Sequence, residues 1–202
     1  MKRFLALALL IGLCLSTSFH RAEAATPGAA EAFVQDLIDE AIDAMTIPTS
    51  EEAKRRAAFE KLLNERLDFE TIRQRVLGSE WKSATPEQKE RFAQVFDDYI
   101  LNVYVGQLGP YDDQKVQVNR AESLDDDETV VFTEVVPNDG SRLRLDWRIR
   151  EDGNGRYGVV DVAADGASLL RAKRDEFKSI VQRQGIDGLI DRIATLNQKS
   201  TS

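Results

Sequence analysis

The sequence predicts an α+β domain: a twisted antiparallel sheet of about four strands, wrapped by N-terminal and C-terminal helices, with an apolar cleft between the layers. Three observations predict it. Apolar residues recur at helical spacing through the first half of the chain. Between residues 115 and 163 the period changes to two, in short runs separated by turn residues. Helical spacing returns from residue 168 to near the end.

Ahead of the domain, residues 1–24 read as a cleavable secretory signal peptide. Lys2 and Arg3 supply a positive start. Phe4 to Leu15 is an apolar run broken only by Gly12, and Ala22-Glu23-Ala24 supplies the small residues for cleavage after Ala24, with Ala25 as the alternative. The run has 12 residues, and a spanning helix needs roughly 20, so the segment does not read as a permanent anchor. Cys14 follows Leu13 inside the run, whereas a lipid-modified cysteine follows a small residue after it. The domain is therefore expected over residues 25–202.

The first helix runs from Ala29 to Met45, with Phe33, Leu37, Ile38, Ala41 and Ile42 on one face, and Pro48 breaks it. Ser50, followed by Glu51 and Glu52, reads as the cap of a second helix carrying Ala58, Phe59, Leu62 and Leu63 inward. A short helix from about Phe69 ends at Gly78. Thr85-Pro86-Glu87-Gln88 is a strong helix start, with Thr85 as cap, Pro86 in the first turn and Gln88 completing a capping box. The helix that follows presents Phe92, Val95, Phe96, Tyr99, Ile100, Val103 and Tyr104, until Gly109-Pro110 stops it.

Strands are predicted at Lys115–Arg120, Thr129–Val136, Leu143–Arg150 and Tyr157–Ala163. The third alternates strictly, Leu143, Leu145, Trp147 and Ile149 against Arg144, Asp146, Arg148 and Arg150. Short turns at 137–140 and 152–155 make the four an antiparallel meander. Ser168 then caps a helix with Leu169, Leu170, Phe177, Ile180 and Val181 inward. Gly185 ends it, and a last helix carries Ile186, Leu189, Ile190 and Ile193.

Charge and composition exclude several functions. The whole chain is −8, and removing a signal segment of net +2 leaves −10. Such acidity argues against nucleic acid and against resting on an anionic membrane. Cys14 and His20, the only cysteine and the only histidine, leave with the signal segment. Without them there is no disulfide, no Ser-His-Asp or Cys-His catalysis, and no zinc site built on His or Cys. Asp125-Asp126-Asp127-Glu128 lacks the glycine and spaced ligands of a calcium loop and reads as a solvated hairpin turn. Asp161 and Asp165 fall at a strand end without a general acid/base partner. No metal, no catalytic residue and no enzymatic activity are expected.

Three stretches together resemble the MlaC/Ttg2D (toluene-tolerance) family of periplasmic phospholipid-binding proteins. Arg66-Leu67-Asp68-Phe69 leads to Val76-Leu77-Gly78-Ser79-Glu80-Trp81. Arg91-Phe92 precedes Phe96 and Tyr104 on the long helix. Asp161-Val162-Ala163-Ala164-Asp165-Gly166-Ala167-Ser168-Leu169 precedes Arg174, Phe177 and Gly185. Two positions depart from the family pattern: Ala172-Lys173-Arg174 stands where Asn-Tyr-Arg is frequent, and Asp165 where Glu is. The resemblance implies a monomeric periplasmic shuttle. It would carry phospholipid between an outer-membrane lipoprotein complex and an inner-membrane ABC transporter with an MCE-domain subunit, in support of outer-membrane lipid asymmetry. The ligand is a phospholipid or related lipid, and no cofactor is implied. A related branch of the family is associated with hopanoid lipids.

The chemistry of such a task is undemanding. Two acyl chains hold on the order of 30 CH₂ groups, and exposing them to water costs about 0.8 kcal/mol each. Exchange between a bilayer and a deep apolar pocket avoids that cost without any catalytic residue. Pocket candidates are Phe96, Ile100 and Tyr104 on the long helix, Phe132, Leu145 and Trp147 on the sheet, and Leu169 and Phe177 closing one side. Each taken singly is more readily accounted for as ordinary core; Trp81 reads as packing. Arg171, Arg174 and Lys178 lie at helical spacing and suit a lipid head group or an acidic partner. They also suit a solvated face with Arg171 paired to Asp175. Three readings follow. A lipid carrier requires an apolar cavity, and a carboxylate enzyme requires convergent polar groups. A ligand-free envelope adaptor requires a filled core and a large exposed apolar patch.

Overall fold

The computed structural model describes residues 26–105, 114–138 and 140–200. The signal segment and the Gly109-Pro110 helix stop lie outside these residues.

Helix α1 (Pro27–Thr46) begins with proline in its first turn and buries Ala30, Val34, Leu37 and Ile38. After it the chain differs from expectation. Ser50 does not cap a helix; it lies in a 3₁₀ turn, Thr49–Glu51, closed by Glu51 N–H donating to the Pro48 carbonyl at 2.8 Å. Helix α2 (Glu52–Arg66) starts beyond that turn with no side-chain cap, and of its inward candidates only Leu62 is buried. Helix α3 (Phe69–Leu77) is capped by Asp68, whose Oδ1 accepts from Thr71 N–H at 2.9 Å, and it ends at Gly78. A single further turn, α4 (Ser79–Ser83), carries Trp81, with the Lys89 ammonium 5.2 Å from the centre of its ring. Helix α5 (Pro86–Val105) has the expected capping box: Gln88 N–H donates to Thr85 Oγ1, and Thr85 N–H to Gln88 Oε1, both at 3.1 Å.

The sheet is an antiparallel meander in chain order. Its strands are β1 (Lys115–Ser123), β2 (Glu128–Val136), β3 (Leu143–Glu151) and β4 (Tyr157–Ala164), with a short fifth, β5 (Ala167–Ser168). The fifth strand exists because Asp165 and Gly166, at φ 48° and 84°, fold the chain tightly back on β4. Helix α6 (Leu169–Ser200) closes the fold, and Gly185, at φ 71°, interrupts it where the sequence predicts a boundary between two helices.

Register assigns the faces. Val131 pairs with Trp147 and Trp147 with Val162, so these share one face; Phe132 pairs with Asp146 and Arg148 with Asp161 on the other. Helix α1 covers the first face, lying mainly over β1 and β2. It builds one apolar cluster from Ala30, Val34, Leu37 and Ile38 with Val131, Ile149 and Val159. A second cluster joins α3, α5 and α6 through Val76, Phe92, Phe96, Phe177, Leu189 and Ile193. Leu67 packs at the margin of both. It bridges to Val159, and Asp68 N–H donates to the Val159 carbonyl at 3.0 Å, which ties the helical half to the β4 edge. Only glycine fits at position 158, because a Cβ there would lie 2.9 Å from the Asp68 Cβ.

Candidate functional site

The structure divides the pocket candidates among three places. Phe96, Ile100 and Phe177 sit deep in the helical cluster. Phe96 stacks on Phe92 with ring centres 5.1 Å apart, and Phe177 meets Phe96 nearly edge-on at 6.1 Å. Tyr104 is half-buried at the margin of that cluster. Leu145 and Trp147 are half-buried on the sheet face that carries Val131. Trp147 Nε1–H donates to Thr133 Oγ1 at 3.0 Å, and that hydroxyl donates to the Leu145 carbonyl at 3.0 Å, which orients the indole. Phe132 does not join Leu145 and Trp147. It lies on the opposite face, with the Arg120 guanidinium 4.1 Å from its ring centre. Leu169 does not face inward: as the first residue of α6 it is 37% exposed, and Leu170 packs against the cluster in its place.

Between the clusters the end of α5 faces β4 and α6. Burial is the main cause raising the Tyr104 pKa; Lys173 opposes it and Asp161 reinforces it, so both charges are close to the phenol. Lys173 Nζ donates to Tyr99 OH at 2.8 Å and to Glu176 Oε2 at 2.6 Å. Burial disfavours its charge, but those two partners outweigh it and its pKa is raised. The ammonium also lies 5.2 Å from the Tyr99 ring centre and 5.9 Å from that of Phe177. Sequence reasoning passed over Lys173 because its spacing matches a solvated face as well as an inner one.

Arg171, Arg174 and Lys178 line an open cleft of about 500 Å³, walled by α3, α4, the start of α6, and Arg148 and Asp161 of the sheet. Asp175 lines the same cleft but forms no ion pair with Arg171. Asp161 serves structure here: it accepts from Ser168 Oγ at 2.6 Å and Leu170 N–H at 3.0 Å, while Ser168 Oγ caps Arg171 N–H at 2.9 Å. Asp165 accepts from Arg144 N–H at 3.1 Å.

The acidic run 125–128 is not wholly a solvated turn. Asp125 and Asp126 are exposed, but Glu128 is 2% exposed and binds Arg75 of α3 and Arg148 of β3 together. Burial would raise its pKa, yet the two guanidinium groups outweigh burial and hold it below the ordinary glutamate value. The strict alternation of β3 was the available signal, since it puts Arg148 on a face where a buried charge needs a partner. A second cleft of about 640 Å³ lies on the other side of α3, along Asp68, Glu70, Arg75, Arg150, Arg156 and Tyr157. There Arg150 is paired with both Asp127 and Asp68.

Among the described residues no group of three His, Cys, Asp or Glu side chains could hold a metal ion. No described helix is long and apolar enough to cross a membrane. The architecture, a five-stranded antiparallel open sheet with flanking helices, defines the class of fold. It is shared with a solved phospholipid-binding protein from Ralstonia solanacearum, determined in complex with a phospholipid: TM-score 0.74, 24% identity, covering 86% of this chain and 99% of that one.

The family model described as MlaC protein matches residues 33–195, and the chain belongs to that family. It is 29% identical, over 63% of its length, to the intermembrane phospholipid transport system binding protein MlaC of Haemophilus influenzae. The matched part spans 61% of that relative. It is 26% identical to the toluene tolerance protein ttg2D of Pseudomonas putida, over 70% of this chain and 68% of the relative.

Proposed function

We propose that this chain is a periplasmic lipid carrier that shuttles phospholipid between the outer and inner membranes. It would act as the binding component of an ABC-type transport system, with an MCE-domain subunit and an outer-membrane lipoprotein complex as its partners. Residues 25–202 form its single lipid-binding domain after the signal peptide is removed. The names of the Haemophilus and Pseudomonas relatives, and the phospholipid held by the Ralstonia protein, support this reading.

The observation that carries it is the seam between the two apolar clusters. They touch through Leu67 instead of merging, α1 lying on one sheet face and α3 and α6 on the other, and Tyr104 and Phe132 stand half-buried on the helical side. An acyl chain lying between the helices and the sheet has Phe96, Ile100 and Phe177 on one side and the sheet face of Phe132 on the other. Leu145 and Trp147 lie across the sheet from it, on the α1 side, and Leu169 contributes at most to the rim. Transfer from bilayer to seam exchanges one apolar environment for another. The carrier avoids roughly 25 kcal/mol of exposed hydrocarbon without making or breaking a bond, and no catalytic residue or cofactor is called for.

The test is to purify the secreted protein, extract it with organic solvent and identify lipid by mass spectrometry. Phospholipid is expected from the wild type, and much less from Phe132→Glu with an unchanged circular dichroism spectrum. Absence of lipid from the wild type, together with no uptake from phospholipid vesicles, overturns the reading. Fractionation tests the compartment: a periplasmic protein starting at residue 25 is expected.

A further inference from the structure

We infer that the cleft between α3–α4 and the start of α6 is a docking groove for a carboxylate-rich segment of a partner protein. The inference goes beyond the carrier reading and stands whether or not lipid is bound. Five cationic side chains, Arg75, Arg148, Arg171, Arg174 and Lys178, outnumber the carboxylates Glu80, Asp161 and Asp175 in one concavity of a domain whose charge after signal removal is −10. Among the described residues Arg171, Arg174 and Lys178 form no ion pair.

Three of these cations are held in place. Glu128, buried beneath the cleft, binds Arg75 and Arg148 from opposite walls. The Arg174 guanidinium lies on Gly78, where a Cβ would sit 2.6 Å from its Nη2. Glycine at 78, at φ 58°, therefore both ends α3 and leaves room for that side chain. Guanidinium groups held in this way favour bidentate contact with carboxylates.

Shape and spacing choose the occupant. Arg171 to Lys178 span seven residues of helix, a cationic row of about 10 Å. That exceeds one phosphate and matches about three residues of extended peptide. Leu77 and Leu170 offer apolar contact within the same cleft. A flat anionic bilayer cannot enter a concavity, and it meets the repulsion of the whole acidic domain.

The experiment uses fluorescence anisotropy with the secreted protein and a labelled decapeptide alternating Glu and Leu. Vesicles containing phosphatidylglycerol and an alternating Lys-Leu peptide are the comparison probes. The Glu-Leu peptide is expected to bind, more weakly as salt rises. R171E/R174E/K178E is expected to weaken it by roughly tenfold or more, the combined effect of three exposed charges. All three residues are exposed, so the variant is expected to keep its fold, which circular dichroism checks. Arg156→Glu, in the cleft on the other side of α3, is expected to leave binding unchanged. A photo-crosslinker in the peptide is expected to label residues 75–80 or 168–178. Equal binding by wild type and triple variant overturns the inference, as does labelling elsewhere. So does vesicle binding lost through the same three residues, or tighter binding of the Lys-Leu peptide than of the Glu-Leu peptide.

Discussion

The two apolar clusters are built on different principles. The helical one is aromatic and closes on itself: Phe92, Phe96 and Phe177 meet ring to ring, each at most 2% exposed, with α3, α5 and α6 around them. The sheet cluster is β-branched and one helix deep. Val131, Ile149 and Val159 are sealed by α1, which lies mainly over β1 and β2. Leu145 and Trp147 on β3 remain half-buried, and Leu143 is 37% exposed. The helical cluster is thus complete without the sheet, while the sheet is left with apolar surface to spare. A carrier needs both conditions, a core that does not depend on its cargo and a neighbouring surface that has use for it.

The largest test of this contrast is a pair of substitutions. Phe177→Ala opens the self-contained cluster and is expected to cost about 3–5 kcal/mol, against about 0.5–1.5 kcal/mol for Ile149→Val in the sheet cluster. Urea unfolding measures both, and costs in the reverse order would break the comparison. Next comes the clamp that joins the halves. Glu128→Gln is expected to cost about 1–3 kcal/mol at neutral pH. The lowered pKa of Glu128 means that its contribution is present above the unfolded-chain value and is lost as pH falls through the folded one. Wild type should therefore lose stability on acidification below about pH 4.5, and the Gln variant should lose less. Parallel acid-unfolding curves would remove Glu128 from that role. The smallest effect is expected at Leu169→Ser, within about 0.5 kcal/mol, because Leu169 lies outside both clusters. A thermal shift as large as that of Ile149→Val would return it to the core.

Most of the fold was legible before the structure. The capping box at Thr85 and Gln88 involves groups three residues apart, so local chemistry suffices to read it. The same holds for Ser168 as a cap, for Gly185 as a helix boundary, and for the four strands with their alternation. Ser50 was misread because Pro48 fits a 3₁₀ turn as readily as a loop before a cap. The grouping of Phe132 with Leu145 and Trp147 failed for a different reason. Alternation orders residues within one strand, but only pairing between strands says which face of β2 joins which face of β3. Glu128 was hidden among acidic neighbours, and its partners lie 53 residues before it and 20 after it.

By itself the sequence determined the fold class, the element boundaries to within a few residues, the lack of histidine and cysteine beyond position 20, and the family resemblance. These follow from local period, capping chemistry and composition, which are properties of neighbouring residues. Tertiary structure alone decided that the apolar residues form two clusters joined at Leu67, that Glu128 is a buried clamp, and that three cations stand unpaired beside α3. Each of these depends on which distant segments meet, and no spacing along the chain encodes that directly.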